Sequence, residues 1–192
     1  LTQIAAVRTS VGADMVCFMR PYVGDGICGL AWVGGVGTNG NLSAYGNYMY
    51  SHVSIDCDDY VTAHELGHNM GLKHSRLQDP NGGTFKYSAG YGVSGSFVTV
   101  LAYASAFNVT NASKVYRFSN PSLTHNGVPI GISGSDPVNG ADAASSLNSV
   151  RSTLAGFKPS KLRVASFPGV FAADARADVF PHDAENGPNY LW

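Results

Sequence analysis

Eleven consecutive residues constrain this chain more than any other segment, because they combine a helical pattern with three histidines at fixed spacing. The segment reads His64-Glu65-Leu66-Gly67-His68-Asn69-Met70-Gly71-Leu72-Lys73-His74. In a helix, His64 and His68 lie one turn apart on the same face, so both imidazoles can bind one metal ion. Gly71 follows, and glycine readily adopts the left-handed conformation that ends a helix. The chain can then turn back and bring His74 to the metal as a third nitrogen ligand.

Three imidazoles that leave one position open for water are typical of a catalytic zinc site, whereas a structural zinc site is closed by four protein ligands. Glu65 directly follows the first histidine and lies near enough to hold a metal-bound water. Two histidines and a glutamate at this spacing often arise by chance on a polar helix face, but the added glycine and third histidine make coincidence improbable. The sequence therefore predicts one catalytic Zn2+ bound by His64, His68 and His74.

Composition favours a single globular domain and gives no sign of a charged partner. The chain has 192 residues, of which 44% are hydrophobic and 23 are glycines, which suits a real core joined by many loops. The formal net charge of −1 gives no reason to expect nucleic acid or an anionic membrane surface as a partner. No apolar run approaches the length that spans a bilayer. Because Leu1 begins abruptly within a helical pattern, with no signal peptide, we expect a processed form or a fragment.

Three cysteines leave one thiol unpaired if a disulfide forms. Cys17 lies within an apolar run, where a small buried thiol is the ordinary interpretation. Cys28 and Cys57 flank the segment that precedes the zinc helix and are the better pair. A Cys28–Cys57 disulfide would indicate an oxidising, secreted setting.

Hydrophobic patterning and turn residues predict the main elements and their order. We expect a helix that stops near Gly12, a strand buried on both faces, two further strands, the zinc helix and a C-terminal helix. The corresponding ranges are 1–11, 13–19, 28–33, 48–55, 59–70 and 141–157. Residues 1–158 form one domain in this interpretation, and 159–192 form a tail. A solvated acidic turn fits His182, Asp183 and Glu185 in that tail better than a second metal site does.

The eleven-residue segment resembles the zinc signature of the metzincin metallopeptidases, H-E-x-x-H-x-x-G-x-x-H, with every fixed position matched. Further segments are similar to a bacterial subgroup of reprolysin-like metzincins that includes the peptidyl-Asp metalloendopeptidases. They follow the family order over most of residues 4–158: 12–14, 28–32, 63–71, 102–103, 118–121, 127–131 and 146–148. Each of the later segments is weak alone, and their order makes the resemblance strong.

The resemblance implies an α/β (α+β) fold with a twisted mixed sheet, an active-site helix and a C-terminal helix. An antiparallel edge strand on the rim of the cleft would pair with extended substrate. Residues 28–33 lie where that strand would be, which makes candidate substrate-binding residues of Gly29, Leu30, Ala31 and Trp32. Zinc would polarise the attacking water and stabilise the oxyanion. Glu65 would act as the general base and then pass the proton to the leaving amine.

Three features depart from the family pattern. Leu101 replaces the methionine of the tight turn below the zinc, and a swap of this kind usually costs less than about 1.5 kcal/mol. Ser75 follows the third histidine where reprolysins usually have aspartate, so we expect a different hydrogen bond near that ligand. We expect the first strand, helix and second strand of the usual domain to be missing ahead of Leu1. Whether they lie on a separate polypeptide, are replaced or belong to a missing piece stays open.

Three other residues are candidates through the resemblance. Tyr103 lies two positions beyond the turn, where a tyrosine in some metzincins approaches the zinc or the transition state; a buried structural tyrosine is an equal alternative. Arg117 and Lys114 lie in the segment that forms the wall of the primed-side pocket, where a cation could bind an acidic side chain of the substrate. For Arg117, an ordinary surface position is the stronger alternative.

The leading hypothesis is a secreted, bacterial zinc endopeptidase that acts on proteins or peptides. One alternative is a binding module that keeps the zinc but is catalytically impaired, which the altered turn favours and the intact Glu65 opposes. Another is a precursor inhibited by its own tail, residues 160–192. The sequence leaves the physiological substrate and the oligomeric state open.

Overall fold

A three-stranded sheet supports the predicted cleft. The computed structural model describes residues 2–159, in which β1 (Val16–Arg20), β2 (Gly29–Ala31) and β3 (Tyr50–Ser54) form this sheet in the order β1-β3-β2. β1 runs parallel to β3, and β2 runs antiparallel to it. The sheet is therefore mixed, as the sequence predicts. The predicted tail lies outside the described residues except for Pro159, and so do His182, Asp183 and Glu185.

The prediction that the first strand is buried on both faces is wrong. β1 follows α1 (Thr2–Val11), which ends at Gly12 with a φ of 71°. Phe18 and Met19 point to opposite faces of β1, and 55% and 52% of these residues are exposed. The strand lies at the edge of the sheet opposite β2, which leaves about half of each residue exposed. An apolar run alone does not distinguish an edge strand from a central one.

The zinc helix, α2 (Val61–Asn69), packs against β2 and β3. Asn69 is fully buried, and its Nδ2 donates to the carbonyl oxygens of Trp32 at 2.9 Å and Tyr50 at 3.1 Å. The chain then turns at Gly71, whose φ is +88° and where a Cβ would lie 2.8 Å from the Gly34 carbonyl oxygen. Gly71 therefore ends the helix, as predicted. Glycine adopts this positive φ readily, and a side chain at this position would have no space.

Short paired strands and single-turn helices build the rest of the fold. β4 (Lys73–Ser75) pairs with β5 (Ala89–Gly90), β6 (Gly92–Val93) with β7 (Phe97–Val98), and β8 (Asn120–His125) with β9 (Val128–Ile130). The 3-10 helices are Ser43–Tyr48, Ala104–Phe107 and Asn111–Ser113. The architecture is α+β, as expected from the sequence. No helix within residues 2–159 is long and apolar enough to cross a membrane.

The C-terminal helix, α3 (Ala143–Leu154), closes the core beneath α2. Asp142 caps its first turn by accepting a hydrogen bond from the Ser145 backbone N–H at 3.0 Å. Its buried face packs into a cluster of apolar side chains that reaches the underside of α2. The cluster contains Leu72, Val100, Leu101, Ala143 and Leu147. This core fixes the floor on which the histidines rest.

Candidate active site

The structure brings the three predicted histidines together. His64 and His68 lie one turn apart on α2 and are 5% and 7% exposed, with their Nε2 atoms 3.1 Å apart. His74 lies on β4, directly after the turn at Gly71. One nitrogen from each of the three rings lies within 4.8 Å of the other two. Helix, turn and strand therefore direct three imidazoles at one point.

Each imidazole is held from behind by an oxygen acceptor at its Nδ1. His64 Nδ1 lies 2.9 Å from the Val100 carbonyl oxygen, and His68 Nδ1 lies 2.8 Å from the Leu72 carbonyl oxygen. His74 Nδ1 lies 3.1 Å from the Asp79 carboxylate. Because these oxygens only accept, we assign the ring proton to Nδ1 in all three residues. Every Nε2 then keeps a lone pair directed into the site.

The residues present fit a zinc ion. With protons on Nδ1, the Nε2 atoms of His64 and His68 face each other as two acceptors, with no hydrogen between them. His74 Nε2 is buried and has no hydrogen-bond partner. Buried polar atoms are normally satisfied, and three acceptors around one point are satisfied by a cation. Three imidazole nitrogens suit Zn2+, with an open fourth position for water.

Burial keeps the three imidazoles neutral, which is the form that binds metal. Burial, followed by the charge of the neighbouring histidine, lowers the pKa of His64 to about 3. Burial lowers the pKa of His68 to about 4, against the effect of its hydrogen bond to the Leu72 carbonyl. Burial also lowers the pKa of His74, although the Asp79 carboxylate acts in the opposite direction.

Glu65 lies beside the histidines, with its carboxylate enclosed by the edge strand. The residue is 5% exposed, and burial raises the pKa of its carboxyl group to about 7. A Cβ on Gly29 would lie 2.6 Å from Glu65 Cγ and 2.7 Å from its Cδ. Because Gly29 has no Cβ, it leaves the space that the Glu65 side chain occupies. A carboxylate with a pKa near the working pH is suited to accept and return a proton.

Comparison with known proteins assigns this arrangement to a family. A family model described as "Metallo-peptidase family M12B Reprolysin-like" matches residues 1–135. The chain belongs to the reprolysin-like metallopeptidases. A solved structure titled "Structure of a chaperone-substrate complex" shares the fold, with a TM-score of 0.57 over 83% of this chain and 23% of that one at 24% identity.

Three relatives carry the name peptidyl-Asp metalloendopeptidase. The Pseudomonas aeruginosa protein is 34% identical over 184 residues, which cover 87% of this chain and 30% of the relative. The Stenotrophomonas maltophilia protein is 31% identical over 68% of this chain and 29% of the relative. The Xanthomonas campestris protein is 33% identical over 54% of this chain and 23% of the relative. The chain thus spans less than a third of the length of each.

In this reprolysin-like metallopeptidase, Leu101 packs in the core against α2, and Tyr103 contacts the ring of His74. Leu101 is fully buried in the floor, and its Cδ2 lies 3.2 Å from the point where a Cβ on Gly67 of α2 would be. The Tyr103 ring centroid lies 4.3 Å from that of His74, and 48% of the tyrosine is exposed. Tyr103 is therefore at the rim of the site, which does not match the alternative of a buried structural tyrosine.

The predicted substrate-binding residues differ in exposure and in local structure. Leu30 and Trp32, in and just after β2, are 60% and 56% exposed, and within residues 2–159 the outer edge of β2 is unpaired. Arg117 is exposed, and its Nη1 donates to the Tyr116 carbonyl oxygen at 3.0 Å. Lys114 is instead 9% exposed, so it does not stand on an open pocket wall.

Sequence reasoning missed Asp79. It lies in the turn after β4, where its two carboxylate oxygens meet Lys73 Nζ at 3.2 Å and His74 Nδ1 at 3.1 Å. The serine that stands where reprolysins usually have aspartate, Ser75, turns away and donates to Gln78 Oε1 at 3.0 Å. The sequence does show an acidic residue five positions after the third histidine. Only the geometry of the turn after β4 reveals that its carboxylate reaches the His74 ring.

The Cys28–Cys57 disulfide is present, as predicted. It joins the residue before β2 to the loop before α2. The covalent link therefore connects the edge strand that packs on Glu65 to the segment that leads into the zinc helix. Cys17 is a free thiol, half-buried rather than fully buried as expected.

Proposed function

We propose that the chain is a zinc-dependent endopeptidase that hydrolyses peptide bonds with Glu65 as the general base. One observation carries the proposal: three buried Nε2 atoms converge on one point, each held by an acceptor at Nδ1, with a buried carboxylate beside them. A Zn2+ held by His64, His68 and His74 would supply a Lewis acid that activates water and polarises the scissile carbonyl.

Glu65 moves the proton in this mechanism. Its carboxylate accepts the proton of the attacking water and returns it to the amine that leaves. The close packing of Gly29 on Glu65 supports this role, because it holds the carboxylate against the start of β2. Burial raises the pKa of Glu65 to about 7 in the metal-free protein, and a bound dication would lower it and keep the carboxylate ionised as a base.

β2 aligns the substrate. Its outer edge offers backbone donors and acceptors to an extended peptide, which would add to the sheet as a further strand. The exposed side chains of Leu30 and Trp32 flank that peptide. Tyr103 would donate a hydrogen bond to the oxygen that develops negative charge, and the contact of its exposed ring with His74 supports this role.

The substrate class is proposed from the relatives. Three of them are named peptidyl-Asp metalloendopeptidases, which supports bonds next to aspartate as the preferred targets. The exposed guanidinium of Arg117 is the candidate for binding an acidic side chain. The disulfide and the bacterial relatives support secretion to an oxidising environment. Inhibition by residues 160–192 concerns a segment outside the described residues.

The test is hydrolysis of a quenched fluorescent peptide library, with cleavage sites mapped by mass spectrometry. The zinc-loaded protein should cleave, a chelator should abolish cleavage, and Glu65→Gln should retain zinc but lose at least about 10²-fold in rate. Asp59→Asn, an exposed carboxylate before α2, is the matched control and should behave as wild type. Zinc binding without hydrolysis in the wild type would favour the alternative of an impaired binding module.

A further inference from the structure

Lys114 carries a charge that is buried among the described residues, 2–159. It lies directly after the 3-10 helix Asn111–Ser113 and is 9% exposed. Within residues 2–159, no carboxylate lies within ion-pair distance of its ammonium group. Burial lowers the pKa of Lys114 to about 8, with Asp58 as a weaker opposing influence. A buried ammonium group is costly unless its hydrogen bonds are satisfied.

Backbone carbonyl oxygens accept the hydrogen bonds of the Lys114 ammonium group instead. Lys114 Nζ donates to the carbonyl oxygen of Ala102 at 2.8 Å, with longer contacts to those of Val100 at 3.3 Å and Thr99 at 3.5 Å. The ammonium also lies 4.2 Å from the centre of the Tyr60 ring, which adds a cation–π contact. Residues 99–102 form the turn that contains Leu101. The Lys114 ammonium group therefore contacts three carbonyl oxygens of the turn that forms the floor of the site.

The contact to Val100 connects Lys114 to a zinc ligand. The Val100 carbonyl oxygen accepts both from Lys114 Nζ and from His64 Nδ1, the latter at 2.9 Å. A carbonyl oxygen has two lone pairs, so it can serve both donors at once. The position of this oxygen fixes the orientation of the His64 ring. Partners behind a metal-binding histidine typically change metal affinity 10–100-fold when they are removed.

We propose that Lys114 is a positioning residue: its ammonium holds the 99–102 turn so that the Val100 carbonyl orients His64 for zinc. The proposal rests on the proposed function, because it concerns the same three-histidine site. It also gives the turn a second means of support, besides the packing of Leu101. The side chain that the sequence suggested as a pocket wall thus acts from beneath the metal site.

One effect opposes this role, because a cation near the site repels a bound dication. The Val100 carbonyl oxygen accepts from both Lys114 Nζ and His64 Nδ1, so a backbone dipole lies between the ammonium group and the imidazole ring. On this geometry we expect the loss of positioning to outweigh the relief of repulsion when Lys114 is replaced.

The test compares zinc affinity by chelator competition in wild type, Lys114→Met, Lys114→Gln and Lys86→Met. Methionine keeps the length of the side chain and removes every donor, whereas glutamine keeps two donors. Lys86 is exposed and is the matched control. We expect zinc affinity to fall by up to about 10-fold in Lys114→Met, the low end of the range for a direct partner of the histidine, less in Lys114→Gln, and not at all in Lys86→Met. Thermal melting of the zinc-free proteins, measured in parallel, separates this effect from general loss of stability.

Three results would overturn the proposal. Zinc affinity within about threefold of wild type in both Lys114 variants, with or without a lower melting temperature, would make the role structural only. Tighter zinc binding in Lys114→Met would show that charge repulsion dominates. Unchanged zinc affinity with altered cleavage sites would make Lys114 a substrate-binding residue. If wild type binds zinc but hydrolyses nothing, the proposed function fails while the affinity series still decides the role of Lys114.

Discussion

The Nδ1 atom of His74 lies 3.1 Å from the Asp79 carboxylate, five residues further along the chain. The same carboxylate accepts from the His74 backbone N–H at 3.2 Å and is paired with Lys73 at 3.2 Å. One acid thus fixes both the backbone and the ring of His74, the third proposed zinc ligand. A carboxylate behind a metal-binding histidine also makes the imidazole a better donor to the metal.

Asp79→Ala should therefore weaken zinc binding about 10–100-fold. Asp79→Asn should have a smaller effect, because its amide oxygen can still accept from the ring N–H. Chelator competition measures both variants, and Asp59→Ala, an exposed acid, is the control. Wild-type affinity in Asp79→Ala would mean that the packing around His74 is sufficient to orient it.

Gly29→Ala should impair catalysis without removing the metal. The added methyl group would collide with the Glu65 side chain, which is buried and has little room to move. A displacement of this kind can cost about 10²-fold in rate. Peptide hydrolysis by the zinc-loaded variant is the measurement. Gly156→Ala, where a Cβ would make only ordinary contacts at 3.6 and 3.7 Å, is the matched control. An unchanged rate in Gly29→Ala would show that Glu65 has a second productive position.

Leu101 tests whether the floor of the site acts by shape or through sulfur chemistry. Leu101→Met should leave zinc affinity and hydrolysis within a few-fold of wild type, because the two side chains have similar volumes. Leu101→Ala should open a cavity in a fully buried position and cost about 2–5 kcal/mol of unfolding free energy. Leu123→Ala, at a position 43% exposed, should cost much less in the same thermal melts. A tenfold or larger gain in rate for Leu101→Met would give the thioether an electronic role.

Tyr103→Phe separates catalysis from packing at the rim of the site. The ring contact with His74 is retained in phenylalanine, and only the hydroxyl is lost. If the hydroxyl stabilises the transition state, kcat should fall at least about 10-fold while KM changes little. Steady-state kinetics on one peptide measures the two constants. An unchanged kcat would leave Tyr103 with a packing role alone.

The sequence predicts the local parts of the site well, because they depend on local spacing. The turn of α2 between His64 and His68, and the conformation that Gly71 requires, follow from helix geometry and glycine chemistry. The bounds of the helix, Val61–Asn69, agree with the predicted 59–70 to within two residues at each end. The same reasoning places Glu65 next to the first ligand.

Other features depend on contacts between distant segments and escaped prediction. Lys114 reaches the Ala102 carbonyl because its segment runs parallel beside residues 98–100, a pairing that no periodicity reveals. The close fit of Gly29 on Glu65 joins residues far apart in sequence. The exposure of Phe18 and Met19 depends on which strand lies at the edge of the sheet, and an apolar run does not specify strand order.

Crystallography of the zinc-loaded protein at the zinc absorption edge tests the central claim most directly. We expect one anomalous peak per chain, bound by Nε2 of His64, His68 and His74 at about 2.0–2.1 Å. The Nδ1 atoms should keep their contacts with Val100, Leu72 and Asp79. A peak elsewhere, or any one of the three rings turned away from an occupied site, would contradict the account.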